Sequence, residues 1–127
     1  IELIEKDGGP MLTKYLERRF FEAPWVHKYN GMYYLSYSTG DTHNLAYSTS
    51  DNPYGLFVYQ GIIQEPVQGW TSHHSTLKGG EQWDLIYHDV ELSGKTHLRN
   101  VKFTKFNHEA DGQILPIKTY FGTDFRF

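Results

Sequence analysis

The chain has no cysteine among its 127 residues. Disulfide scaffolds, thiolate metal sites and thiol nucleophiles are therefore excluded, and the redox compartment is left open. Positive charge is also in short supply: twelve Lys and Arg stand against fifteen Asp and Glu, a formal net charge of -3. Such a chain lacks the basic footprint of a nucleic-acid binder. No apolar run approaches the roughly 20 residues that cross a bilayer, so no membrane partner is expected. No secretory leader is visible, and the chain opens on Ile1 rather than Met. Secreted, periplasmic and cytoplasmic locations all stay open. What is abundant is aromatic: ten Tyr, eight Phe and three Trp make 17% of the chain. Such rings suit pleated, half-buried surfaces and binding platforms. The length fits one domain, residues 1–127, with a modest core.

The pattern along the chain has a period of two. Ile1 to Ile4 reads as a short edge strand, Asp7-Gly8-Gly9-Pro10 as a turn, and Met11 to Arg19 as loop or strand. Trp25 to Tyr29 runs into Asn30-Gly31, the strongest short hairpin signal, and Met32 to Ser38 returns. Leu45 to Ser50 is a third strand and Phe57 to Gln60 leads a fourth. The plan then recurs. His73 to Lys78, the turn Gly79-Gly80, Trp83 to Asp89, His97 to Phe103 and Gln113 to Ile117 supply four more strands. Tyr33 matches Trp83, Tyr37 matches Tyr87, and Ala46 lies near the counterpart of Asn100. A period of roughly 50 residues falls in the range of four-stranded propeller blades. The expectation is an all-β fold of antiparallel propeller blades, with two full blades and part of another before Phe20. Closed propellers usually need four to eight blades. The chain is then a fragment, a subunit completed by oligomerising, or a single Greek-key sandwich of about eight strands.

The chemistry centres on Phe20-Phe21-Glu22-Ala23-Pro24-Trp25. Pro24 biases Ala23 toward extended geometry, so Glu22 is expected at a loop end or strand start. A carboxyl held against aromatic rings is desolvated, which raises its pKa into the range of a general acid. The simpler alternative is a salt-bridged glutamate at the start of a strand. Asp41, Glu65, Asp84, Asp89 and Glu91 read as turn or solvated acids, with Asp89 notable for ending an inner strand. His73 and His74, adjacent on a strand, point to opposite faces and cannot both reach one ligand. Arg99 is by default a salt-bridge partner, or a bidentate donor to a hydroxyl or carboxylate if it faces a cleft.

The stretch Phe20 to Trp25, followed by Lys28 to Ser38, closely resembles the third blade of glycoside hydrolase family 43. Ser72-His73-His74-Ser75 and Trp83 to Asp89 resemble its fourth- and fifth-blade signals. Lys95 to Val101 and Asp111-Gly112-Gln113-Ile114 continue the likeness, which runs from about Met11 to about Ile117. The resemblance implies a partial five-bladed propeller of about two and a half to three blades. It also implies inverting hydrolysis of arabinosyl or xylosyl bonds in plant polysaccharides or oligosaccharides. On it, Glu22 matches the general acid, and Phe21 and Trp70 match substrate-stacking rings. Arg99 matches a basic residue near the cleft. His73 matches the axial histidine that in many members binds calcium or an ordered water. No cofactor is required, and calcium at the axis is the one metal the resemblance allows.

The family's catalytic base and its acid-orienting aspartate lie in the first two blades, which places both upstream of Ile1. Asp7 in a Gly-Gly turn is a poor substitute. The expectation is therefore the C-terminal half of a glycosidase, impaired as an isolated chain. The base would come from another protomer, making a homo-oligomer, or from a missing N-terminal half. Whether the chain alone is an enzyme is left open. The alternative is a non-catalytic carbohydrate-binding half-propeller, or a truncated remnant that self-associates through open edges.

Overall fold

The computed structural model describes residues 1–70 and 72–117. The period-two pattern produces eight strands: Glu2–Ile4 (β1), Phe20–Tyr29 (β2), Met32–Thr39 (β3), Leu45–Ser50 (β4), Leu56–Gln64 (β5), His74–Gly79 (β6), Gln82–Asp89 (β7) and Asn100–Phe106 (β8). No helix occurs among the described residues. The first sheet has the order β1-β5-β4-β3-β2 and the second the order β6-β7-β8. All pairings between these strands are antiparallel except β1 with β5.

The turns follow from backbone chemistry. Asn30 and Gly31 both take left-handed φ, 47° and 78°, as a type I′ hairpin requires. In the second sheet β6 runs on through Gly79, which pairs with Gln82, so the turn is Gly80-Glu81 rather than Gly79-Gly80. The registers align Tyr33 with Trp83 and Tyr37 with Tyr87. Tyr37 faces Ala46 and Tyr87 faces Lys102, so the counterpart of Ala46 is Lys102, two residues past Asn100.

Alternation sorts the side chains onto faces. Tyr34, Leu45, Tyr47 and Ile63 of the first sheet meet Leu85, Tyr87 and Phe106 of the second in one core between the sheets. Leu35, Tyr37, Ala46 and Phe57 form a second core on the opposite face of the first sheet. That face is partly closed by the N-terminal segment, where the Tyr37 hydroxyl donates to the Arg18 carbonyl at 2.6 Å. An apolar cavity of about 560 Å³ remains there, lined in part by Leu3, Met11, Phe20, Pro24 and Leu35.

The outer strand expected over Gln113–Ile117 does not add to the second sheet. Its segment makes single bridges, His108 with Ile114 and Gln64 with Ile117. Two tyrosines of the first sheet capture it. The Tyr34 hydroxyl donates to the Gly112 carbonyl at 2.6 Å, and the Ile114 amide donates to the Tyr47 hydroxyl at 2.9 Å. Pro116, without an N–H, cannot sustain a ladder. Gly112 is left-handed at φ 88°, and a Cβ there would meet the Tyr34 hydroxyl at 3.0 Å.

Asp89 and Glu91 are not solvated acids. Asp89 is buried, accepts from Asn100 Nδ2 at 2.6 Å, and lies 2.7 Å from the buried Lys102 ammonium, which Glu91 also contacts. A buried cation of this kind needs its carboxylates, because unpaired it would be strongly destabilising.

Candidate active site at the seam between the sheets

Glu22 reaches the inter-sheet face through an irregularity in β2. Glu22 pairs with Ser38 and Trp25 with Ser36, so three steps on β2 match two on β3. Simple alternation would send Glu22 and Trp25 to opposite faces; the extra residue of the bulge puts them on one. Ala23 absorbs the distortion at φ 59°, in the left-handed region and not in the extended geometry expected before Pro24. For a non-glycine residue that is stored strain, of the kind that clusters at functional sites.

The seam is polar along the start of β6. The Trp25 indole donates to Thr76 Oγ1 at 3.0 Å, and Ser36 Oγ meets His74 Nε2 at 2.6 Å. Ser38 Oγ donates to the Ser72 carbonyl at 2.9 Å. These contacts bring the leading ends of β2 and β6 together. There His73 Nε2 stands 3.7 Å from Glu22 Oε1, with side-chain exposures of 58% and 37%. The carboxyl is thus more open than a site walled by rings would make it. Phe20 turns to the other face, against Tyr37 at 5.7 Å.

The two histidines separate as strand alternation requires. His74 faces the first sheet, and burial, with His73 adding, lowers its pKa to about 4. His73 faces Glu22. The Glu22 carboxylate beside it is far short of the six to eight oxygens calcium prefers. Among the described residues no group of three or more His, Asp or Glu is placed to hold a metal. A calcium shell at His73 does not fit this donor set.

Phe21 and Trp70, far apart in sequence, are joined by a residue the sequence reading missed. His43 lies 6.3 Å from the Phe21 ring and 4.5 Å from the Trp70 ring, centroid to centroid. The Trp70 side remains open, with the residue 57% exposed. His43 sits at left-handed φ 53° after the Gly40 turn, and no sequence signal marks it. Arg99 is placed behind His73: its Nη1 donates to His88 Nε2 at 3.1 Å and its Nε to the Thr96 carbonyl at 3.1 Å. His88 was also missed, although hairpin register counted from Gly79 and Gln82 puts it opposite His73.

A deeper histidine pair closes the far side of the seam. His27 Nε2 meets His108 Nε2 at 2.9 Å, among Tyr29, Tyr34, Trp83 and Phe106. Burial, then His108 and His74, lower His27 to about 3, and burial lowers His108 to about 4. One ring donates and the other accepts, so the accepting ring is neutral, and burial disfavours a charge on either.

No family model matches the chain. Its relatives are nonetheless close. A xylosidase/arabinosidase of Bacteroides ovatus is 52% identical over 119 residues, which is 93% of this chain and 37% of that protein. Among solved structures, a GH43 β-xylosidase/α-arabinofuranosidase from a compost microbial metagenome is 54% identical with a TM-score of 0.92. It was crystallised with xylotriose in a calcium-free form, and the match covers 96% of this chain and 37% of that one. A GH43_1 enzyme from Xanthomonas citri, complexed with xylose, is 50% identical with a TM-score of 0.92 over 99% of this chain and 38% of its own. The chain thus spans little more than a third of each of these proteins. By residue identity and by fold it is a homologue of glycoside hydrolase family 43 enzymes, and its two sheets form a partial propeller of the kind those enzymes carry.

Proposed function

We propose that this chain carries the acid-bearing side of a glycoside hydrolase site for xylosyl or arabinosyl bonds, with Glu22 as the general acid. The observation that carries the reading is 52% identity to a xylosidase/arabinosidase across 93% of the chain. The bulge that aims Glu22 at the seam supports it. Glu22 would protonate the leaving oxygen of the scissile bond. Phe21 and Trp70, spaced by His43, would form an aromatic wall for a pentose ring. His73 would stand behind the carboxyl. Arg99, with two of its five donors in use, keeps others for a substrate hydroxyl.

Inversion needs a second carboxylate roughly 6.5–9.5 Å from the acid, with a water between them. Asp89 and Glu91 are committed to Lys102. On this reading the base would be supplied by a longer protein or a second protomer. The test is release of a weakly acidic phenol from aryl xyloside and aryl arabinofuranoside by the chain and by Glu22→Gln. Azide is added as a nucleophile that needs no base. Azide-dependent release that falls about 10²-fold or more in the variant supports the assignment, that being the lower range for one general acid. Equal rates, including none in either protein, would count against it. Xylotriose binding that survives Glu22→Gln without any turnover would favour the carbohydrate-binding alternative.

A further inference from the structure

His88 is held by its main chain as well as its ring. The Ser72 hydroxyl donates to the His88 carbonyl at 2.8 Å and also lies 3.3 Å from the His88 amide. The His73 amide donates to His88 Nε2 at 3.0 Å. The two imidazoles stack with centroids 5.8 Å apart and planes 20° apart. Arg99 Nη1 reaches the same nitrogen at 3.1 Å. A guanidinium has no acceptor and a backbone amide has none either, so His88 Nε2 must present a lone pair to both. Its proton is then on Nδ1. Burial, then the Arg99 charge, then His73, lower the His88 pKa in the same sense. Ser72 is tied in turn to the first sheet by Ser38. Ser72 and His73, just ahead of β6, are thus held between β3 and His88, with the His73 ring turned toward Glu22.

We propose that His88 is a positioning residue: as the Nδ1–H tautomer clamped by Arg99, it fixes the Ser72–His73 segment and so sets the His73 ring against the Glu22 carboxyl. The proposal rests on the reading of Glu22 as the acid only for its consequence in catalysis. The geometry it asserts can be tested without turnover.

The experiment is imidazole ¹H–¹⁵N spectroscopy of the chain and of three variants, His88→Ala, His88→Gln and Arg99→Ala. In the unsubstituted chain His88 is expected to show an unprotonated Nε2 and a protonated Nδ1. His88→Ala should shift the His73 ring nitrogens and remove the contact between the His73 ring and the Glu22 methylenes, while His27 and His74 signals stay in place. His88→Gln offers a carbonyl oxygen to the His73 amide and should restore the contact. Arg99→Ala should mix the His88 tautomers and weaken the contact in proportion to the Nε2–H form that appears. Two results would overturn the proposal. One is an Nε2–H His88 in the unsubstituted chain, which is readable even if a variant fails to fold. The other is a His73 ring unmoved in a folded His88→Ala chain. Neither result bears on whether Glu22→Gln abolishes aryl glycoside cleavage, so the two readings fail separately.

Discussion

The two sheets share one plan of strand, glycine turn and aromatic strand, yet they are buried differently. In the first, β3 and β4 are covered on both faces, by the second sheet on one side and by β1 and the N-terminal segment on the other. In the second, only the face carrying Leu85, Tyr87 and Phe106 is covered. Its other face leaves Val101 at 69% and Phe103 at 37% exposure. Equal strand patterns therefore do not mean equal stability. The seam is where the better-covered sheet supports the less-covered one, and the candidate site lies on it.

The largest expected break in this comparison is in the cores. Phe57→Ala, in the doubly covered sheet, should cost about 3–5 kcal/mol in urea unfolding, as buried aromatic deletions do. Phe103→Ala, on the open face of the second sheet, should cost well under half of that. Equal losses would mean that the outer face of β7 and β8 is covered in solution.

The seam should respond next, through pH. His27, His74 and His108 stay neutral in the fold down to about 3 or 4. The unfolded chain takes up protons below about 6.5. Between these limits the unfolded state holds more protons, so stability should rise with pH from about 4 to 6.5 and level off above about 7. The slope should be at most about 1.4 kcal/mol per pH unit for each histidine. Unfolding midpoints that do not change between pH 7 and 5 would contradict this account of the seam.

Smaller effects sharpen the picture. Tyr34→Phe removes the donor to the Gly112 carbonyl and should cost about 1 kcal/mol, the usual net worth of a hydrogen bond. It should also increase amide exchange over 112–117 more than over β6 to β8. Ala23→Gly relieves a left-handed non-glycine residue and should raise the unfolding midpoint, by about 1 kcal/mol in free energy. A fall in stability would show that Ala23 contributes more by its burial than it costs by its strain.

Much of this was legible in the residues. Asn30-Gly31 fixed one hairpin, alternation fixed the faces, and the separation of His73 from His74 followed from strand geometry alone. Three features were not legible. The bulge at Ala23 inverts the side-chain count between Glu22 and Trp25, and no local propensity demands it, since alanine is a poor left-handed residue. The capture of 112–117 by Tyr34 and Tyr47 depends on hydroxyls 67 and 78 residues away in sequence. The joining of Phe21 to Trp70 by His43 is a meeting of three loops and strand ends. Each is a long-range event in which tertiary packing decides what the sequence pattern leaves free.

The central claim is that Glu22, held at the seam, donates the proton to the departing sugar oxygen. The most direct measurement is the loss caused by Glu22→Gln across aryl xylosides of graded leaving-group basicity, with azide present. The loss should grow steadily as the leaving group becomes more basic and needs more protonation, and should be small for the most acidic phenols. A loss that does not depend on the leaving group would contradict it, and would place Glu22 in binding or folding instead.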